Sequence, residues 1–237
     1  MNNKIRLKNA SWSFGNKVPK KFESHITKSV PYYNEGHELI GHISDFFLKK
    51  KSNFYDLGCS TGKLIRIISN RHKNKKINFF GIDSVKEMIN QAKKEQKKTQ
   101  KNKNSIYFKK SNIVDYPLLK NDLFVSYYTL QFINPSIRQN IINKIYKSLN
   151  WGGAFIMFEK VRGPDARFQD MMNLLYHEFK ILNNFSSDEI IQKSRSLKGI
   201  MEPFSDKGNL DLLKRAGFKD ITPIFQWICF KGYLCIK

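Results

Sequence analysis

Between Asn53 and Glu159 the chain alternates short apolar runs with stretches in which apolar residues recur every three to four positions. The runs 53–57, 77–82, 106–108, 122–128 and 154–159 read as strands. The stretches between them read as helices. Leu64, Ile67 and Ile68 share one face of a helix over 61–72. Val85, Met88, Ile89 and Ala92 share one face of a helix over 84–99. Asn134-Pro135 predicts a third start, because proline is preset for the first helical position and asparagine accepts from a free N–H. That helix carries Ile137, Ile141, Ile145 and Leu149 and stops at Asn150-Trp151-Gly152-Gly153. Strands alternating with helices predict an α/β fold with a parallel sheet covered on both faces. Ligands of such sheets sit beyond the carboxyl ends of the strands.

The flanks are patterned differently. Residues 35–48 predict a helix with Leu39, Ile43, Phe46 and Phe47 on or near one face. Residues 1–30 are basic and weakly patterned, with Trp12 and Phe14 as anchors. Ser29-Val30-Pro31-Tyr32-Tyr33 is stiff, because proline fixes its own φ and restricts Val30; it either covers a ligand or packs the N-terminal segment onto the core. Phe168, Met171, Met172, Leu175, Phe179 and Leu182 form one helical stripe, and Ser186-Ser187-Asp188-Glu189 opens a second helix. A short helix over Asn209–Ala216 ends at Gly217, and the runs 220–225 and 227–236 form an antiparallel pair. The expectation is one globular domain. Its core is 51–162 with 208–237, a mostly parallel seven-stranded sheet with an antiparallel C-terminal strand. A basic segment and helix over 1–50 cover the ligand, and a helical insertion over 163–207 is a lid or a dimer contact.

Composition narrows the function classes. The 237 residues and 41% apolar content suit a folded domain with a sizeable core. No run approaches a membrane span, and the first residues lack the apolar stretch of a secretory signal. Cys59, Cys229 and Cys235 have no metal-ligand spacing and read as reduced thiols, which points to the cytoplasm and to no metal site. The net charge of +22 predicts salt-sensitive adhesion to polyanions. A nucleic-acid partner through the basic surface stays open, though the lysines are spread widely; the densest run, Lys93–Lys103, reads as the end of a helix and a loop.

The candidate chemistry lies where the first strand ends. Asn53–Leu57 runs into Gly58-Cys59-Ser60-Thr61-Gly62 and then a helix. Glycine has no Cβ, so a ligand can approach this backbone closely. The second strand ends in Asp83, 21 residues past Gly62. An acid there suits the hydroxyls of a ribose. The loop lacks both the G-x-G-x-x-G of a dinucleotide site and the Gly-Lys-Ser/Thr of a phosphate loop. It does fit G-x-S-x-G, which would make Ser60 a hydrolytic nucleophile; that reading leaves Asp83 without a role.

These residues resemble class I S-adenosylmethionine (SAM) methyltransferases, through Asp56-Leu57-Gly58-Cys59, Asp83 and Leu149-Asn150-Trp151-Gly152-Gly153. More narrowly they resemble the carboxy-SAM synthase family, through Ser29-Val30-Pro31-x-Tyr33, Thr129-Leu130-Gln131-Phe132, Lys144-Ile145-Tyr146, Glu159-Lys160, Gln192-Lys193 and Lys214-x-Ala216-Gly217-Phe218. The resemblance runs from about residue 12 to the C-terminus. It implies a Rossmann-like class I methyltransferase fold, a homodimer, and SAM or carboxy-SAM as the bound cofactor. It implies a family reaction in which SAM and prephenate give a carboxylated SAM for modification of the tRNA wobble uridine. Carried over by position, Gly58, Cys59 and Ser60 border the methionine part, Asp83 holds the ribose, and Ser84 lies beside the adenine; Asp56, Gly62 and Tyr127 complete the cofactor-binding candidates. Asn112 and Ile113 flank the base, and Tyr33 closes over the sulfonium.

Three positions depart from the family. Asn112 stands where the family has an adenine-contacting Asp, and Tyr127 where it has a ligand-binding Asn. The family arginine that pairs with the transferred carboxylate directly follows Gln-Lys; here Ser194 holds that place and Arg195 comes next, turned by about 100° on a helix. A guanidinium fork suits a carboxylate far better than a hydroxyl does. The catalytic candidates are therefore Arg195, Tyr127 and Glu159, with His177 as a further base. The expected function is a SAM-dependent transferase acting on a small metabolite with an altered pocket. The alternatives are carboxy-SAM synthase itself, an RNA-modifying or RNA-binding SAM-fold protein, and a Ser60 hydrolase.

Overall fold

The computed structural model describes residues 12–15, 18–99 and 103–237. Residues 1–11 of the basic N-terminal segment, and the 100–102 part of the Lys93–Lys103 run, lie outside them. The α/β core begins with β1 (Asn53–Leu57), α3 (Lys63–Arg71), β2 (Asn78–Asp83), α4 (Lys86–Thr99) and β3 (Ser105–Lys110). It continues through β4 (Asn121–Tyr127), a 3₁₀ turn at Leu130–Phe132, α5 (Pro135–Ser148) and β5 (Leu149–Lys160). After α6 (Ala166–Leu182) and α7 (Ser187–Leu197) come α8 (Asp206–Ala216), β6 (Asp220–Trp227) and β7 (Phe230–Ile236). Two helices precede the core, α1 (Val18–Ser29) and α2 (Tyr33–Phe47).

The seven strands form one sheet in the order β3-β2-β1-β4-β5-β7-β6. All pair in parallel except at β7, which is antiparallel to both β5 and β6. The strand order reverses between β1 and β4, and there the carboxyl ends open a crevice. One row of aromatics crosses the sheet in register, because Tyr107, Phe80, Tyr55 and Phe124 are direct partners on β3, β2, β1 and β4. Tyr55 stacks on Phe80 at 4.6 Å and on Phe124 at 5.2 Å between ring centroids. Offset stacking of this kind adds roughly 0.5–1.5 kcal/mol per pair beyond the area buried. Separate apolar clusters fill the two faces, one around Phe54, Phe79 and Ile40, the other around Tyr55, Phe124, Ile142 and Leu213.

Local signals act where the sequence puts them. Asn134 caps α5 by accepting from the Ser136 N–H. Ser186 and Glu189 form a reciprocal capping box at the start of α7. Gly217 ends α8 at φ 117°. Three details differ from the expectation. Val18–Ser29 is helical although its apolar positions are sparse; Glu23 ties it down by accepting from the Thr61 hydroxyl at 2.5 Å and pairing with Lys63 at 3.2 Å. The strand β5 starts at Leu149, because Leu149 pairs with Asn121 before a register shift, so 149–153 is strand and not a terminating turn. Trp227 ends β6 instead of opening β7, since Trp227 and Phe230 face each other across a two-residue turn.

Candidate functional site

The loop after β1 is held by β2 and β4 together. The N–H groups of Gly58 and Cys59 both donate to the Ile82 carbonyl, at 2.8 and 3.0 Å. Gly58 has φ 86°, and a Cβ there would collide with Thr129 Oγ1. Only glycine fits both constraints. Ser60, at φ 50°, donates its backbone N–H to Asp83 Oδ2 at 2.9 Å, while Asp83 Oδ1 accepts from Val85 N–H at 2.9 Å. Asp83 thus staples the loop to the start of α4. An ionised carboxylate has about four acceptor positions; Ser60, Val85 and Ser84 N–H groups all act on this one, and Asp83 lines the crevice.

Asp83 is raised above the usual carboxylate range by burial, and backbone N–H bonds work against that shift. Asp56, 2% exposed, is pushed up to about 8 by burial and by the nearby Asp83. Burial also drives the Cys59 thiol upward, so Cys59 is packing and not a thiolate. A buried and a half-buried carboxyl beside a bare backbone fit a ligand that brings cationic groups and vicinal hydroxyls.

A cavity of about 1110 Å³ opens above this loop. Its floor holds Asp56, Gly58, Cys59, Ser60, Asp83 and Ser84, and its sides include Tyr33, Asn112, Ile113 and Tyr127. Arg195 also stands in its wall, exposed, one place after Ser194. Gly62 and Glu159 do not line it. Gly62 serves packing, because a Cβ there would meet the Phe108 ring at 2.5 Å. Asn112 spends its side-chain oxygen on the Val114 N–H at 3.0 Å.

The base candidates have other duties. Tyr127 donates its hydroxyl to the Tyr33 carbonyl at 2.8 Å and packs on the rings of Tyr33 and His37. Burial raises its pKa far from neutrality. Glu159, buried and pushed up to about 8, accepts from Leu130 N–H at 2.9 Å and holds the 3₁₀ turn that presses Thr129 against Gly58. Ser60 donates its hydroxyl to Met88 Sδ at 3.3 Å and not to a histidine, which removes the base a hydrolytic serine needs. His177 lines the cavity and is lowered by burial and by Lys180 and Lys160.

Sequence reasoning assigned no role to a cluster of lysines in the upper cavity. Lys160, from the end of β5, and Lys180, from α6, hold their ammoniums 4.3 and 4.2 Å from the Tyr176 ring centre. Lys193, from α7, sits over the Trp12 ring. Burial lowers all three; Lys180 falls to about 8, helped by Lys160, and Lys193 to about 7, helped by Lys180. The groups that shift them by charge are other cations and the Cys229 thiol, while Glu189, a carboxylate in the same cavity wall, is held in the α7 capping box. The available signal was a lysine four residues after a tyrosine within an otherwise apolar stripe. Trp12 and Phe14 cross this region: the backbone N–H of Trp12 donates to the Ser196 carbonyl at 3.2 Å, and Phe14 meets the Phe132 ring edge-on at 5.1 Å.

Comparison with known proteins agrees with this geometry. A family model described as a methyltransferase domain matches residues 54–153. The chain is 36% identical to carboxy-S-adenosyl-L-methionine synthase of Staphylococcus epidermidis over 227 residues, 95% of this chain and 97% of that protein. It is 37% identical to the Campylobacter hominis protein of the same name over 226 residues, 95% and 94% of the two chains. Among solved structures, human N-acetylserotonin methyltransferase in complex with SAM superposes with a TM-score of 0.61 at 18% identity, covering 93% of this chain and 56% of that one. Haemonchus contortus phosphoethanolamine N-methyltransferase 2, also in complex with SAM, gives 0.65 at 12% identity, covering 94% and 57%. The structural likenesses carry the fold; the sequence likenesses carry more.

Proposed function

The chain belongs to the carboxy-S-adenosyl-L-methionine synthase family, SAM-dependent enzymes on a class I methyltransferase fold, and from that premise we propose that it transfers a one-carbon group between SAM and a small anionic metabolite. The best-supported form of that reaction is carboxy-SAM synthesis from SAM and prephenate, whose product serves modification of the tRNA wobble uridine. In this reading Asp56 faces the cationic end of SAM, Asp83 takes the ribose hydroxyls, and Ser84, Asn112 and Ile113 surround the adenine. Gly58, Cys59 and Ser60 border the methionine part, and Tyr33 closes over the sulfonium. Tyr127 positions Tyr33.

The observation that carries the proposal is the half-buried trio Lys160, Lys180 and Lys193, gathered in one cavity wall. Ammoniums crowded together and partly withdrawn from water are costly, and a dicarboxylate such as prephenate supplies countercharge. Arg195, offset by one place from the family arginine, reaches the carboxylate from the rim. Transfer within such a site depends mainly on alignment, which the three lysines and the loop provide from opposite sides. Mass spectrometry after incubation with SAM and prephenate tests this. The expected product is SAM heavier by one carboxyl group; S-adenosylhomocysteine released with another acceptor, and no effect of prephenate, would instead indicate methyl transfer.

Two further parts of the reading concern assembly. The helical insertion over 163–207 serves as lid through Lys180 and Lys193, and as the contact with a second copy through the exposed face of α6. Phe168, Met171, Leu174, Leu175 and Leu182 are all exposed on α6, with Leu182 at 82%. Faces of this kind on soluble chains mark interaction sites. Among the described residues no helix is long and apolar enough to cross a membrane; a cytoplasmic enzyme of small metabolites fits that and the three free cysteines.

A further inference from the structure

We propose that the end of the sheet opposite the cofactor cavity binds single-stranded nucleic acid, with Trp151 as the platform on which an unpaired base stacks. The metabolite reading leaves the net charge of +22 without a role, and the topology shows where much of that charge goes. In this sheet the segments that feed chain into the parallel strands gather at the end away from the cavity. The segment before β1 holds the exposed Lys49, Lys50 and Lys51, and the segment before β2 holds the exposed Lys73 and Lys76. Lys103 precedes β3, Lys120 precedes β4, Lys147 precedes β5 and Lys219 precedes β6, all exposed. None of the stretches 48–52, 72–77, 100–104, 117–120 and 217–219 contains an acid. Of the acids next to them, Asp45 is paired with Arg71, Asp122 accepts from Asn53 N–H and the Asn150 side chain, and Asp220 is exposed beside Lys219 at the β6 edge of the stripe. Seven strands spaced about 4.8 Å apart make this a cationic stripe about 30 Å long.

Some of these lysines also have a structural duty. Lys75 donates to the Leu48 carbonyl, Lys120 to the Lys147 carbonyl, and Lys237 to the carbonyls of Tyr146 and Leu149, where helices α2 and α5 end. Cations at helix carboxyl ends are favourable. That duty does not explain Trp151, which is 89% exposed. It stands on the first residues of β5, between Lys147 and a neighbouring Gly152 whose N–H donates to the Lys237 carbonyl at 2.8 Å. Leu119, 57% exposed, precedes Lys120. An indole held on a rigid strand end among ammoniums is the arrangement that takes a base on the aromatic face and the flanking phosphates on the lysines. An anionic lipid surface or an acidic protein would use the lysines but would not need a base-sized flat platform.

The test is fluorescence anisotropy of a labelled single-stranded oligonucleotide with the full chain, set against heparin and anionic phosphatidylserine vesicles. Base–aromatic stacking predicts that Trp151→Ala weakens oligonucleotide binding by about five- to a hundredfold, while Trp151→Phe retains most of it and heparin binding does not change. Each phosphate that a lysine neutralises on a single strand contributes roughly 0.7 to the slope of log K against log salt, so replacing Lys49, Lys76 and Lys120 together by Ala should reduce that slope by about 2. SAM affinity serves as the control for folding and should be equal in all variants. Equal weakening of heparin and oligonucleotide by Trp151→Ala, stronger binding to the vesicles than to the oligonucleotide, or a Trp151→Ala effect confined to the mass of the protein in solution would each overturn the proposal.

Discussion

The backbone N–H of Ser60 donates to the Asp83 carboxylate at 2.9 Å, so the residue at the tip of β2 builds the loop after β1 before any ligand arrives. Asp83→Ala removes this bond, the Val85 bond and the acceptors proposed for the ribose together. Hydrogen bonds to a charged group contribute roughly 1.5–3 kcal/mol each. SAM affinity measured by calorimetry should fall by about a hundredfold or more, while Asp83→Asn, which keeps one acceptor oxygen, should fall less. Unchanged affinity in Asp83→Ala would remove the cofactor assignment at this loop.

Tyr127 and Glu159 separate structure from chemistry. Tyr127→Phe loses one buried hydrogen bond to the Tyr33 carbonyl, a loss of about 1 kcal/mol in unfolding free energy. Turnover should stay within a few-fold of the parent. A drop of a hundredfold in kcat with unchanged thermal stability would mean that the hydroxyl acts on substrate after all. Glu159→Gln should act on stability in the same way, through the turn at Thr129–Phe132.

Asp56 sets a pH dependence with a definite sign. Its folded-state pKa is raised to about 8 from an ordinary value of 3.8. Between those two values the unfolded chain has released the proton and the folded chain has kept it, so folding stability falls as pH rises through that window. Asp56→Asn should flatten this slope in chemical denaturation series, most visibly near neutral pH. In the proposed binding mode SAM brings positive charge to the same place, which favours the ionised form. Binding should therefore release protons and tighten as pH rises towards 8, readable by calorimetry in buffers of different ionisation enthalpy.

The three lysines predict the opposite trend for the second substrate. An anion binds their protonated forms, and the folded-state pKa of Lys193 is lowered to about 7 and that of Lys180 to about 8. Prephenate binding should weaken as pH rises above 7, with SAM binding following its own trend. Lys180→Ala and Lys193→Ala should each raise the KM for prephenate by about tenfold or more, on the scale of roughly 1.5–3 kcal/mol for a charge-assisted contact, and leave SAM affinity within a few-fold. Equal loss of both affinities would place these lysines in general packing.

The exposed face of α6 predicts a mass. If Leu174, Leu175 and Leu182 meet a second copy, sedimentation should give twice the chain mass, and Leu174→Glu with Leu182→Glu should give the chain mass alone with the fold intact by circular dichroism. A monomer for the parent protein would leave this face as lid surface only.

Periodicity and punctuation determined most of the architecture. The alternation of runs from Asn53 to Glu159, the Asn134-Pro135 start, the Ser186 cap and the Gly217 stop all act within a few residues of chain, so local physics suffices for them. The loop Gly58–Gly62 with Asp83 was legible for the same reason: a positive φ demands glycine, and the acid stands at a fixed distance along the chain. Tertiary structure alone decided the rest. Val18–Ser29 is a helix because Thr61 and Lys63 hold Glu23, and Tyr127, in the cavity wall, is also a strut because Tyr33 lies 94 residues away in sequence but one hydrogen bond away in space. Lys160, Lys180 and Lys193 come from three different elements, and a lysine's surroundings cannot be read from its neighbours in the chain. Charge converges only when the sheet and the helical insertion close over the same cavity, because burial and Coulomb interaction act through space and not along the backbone.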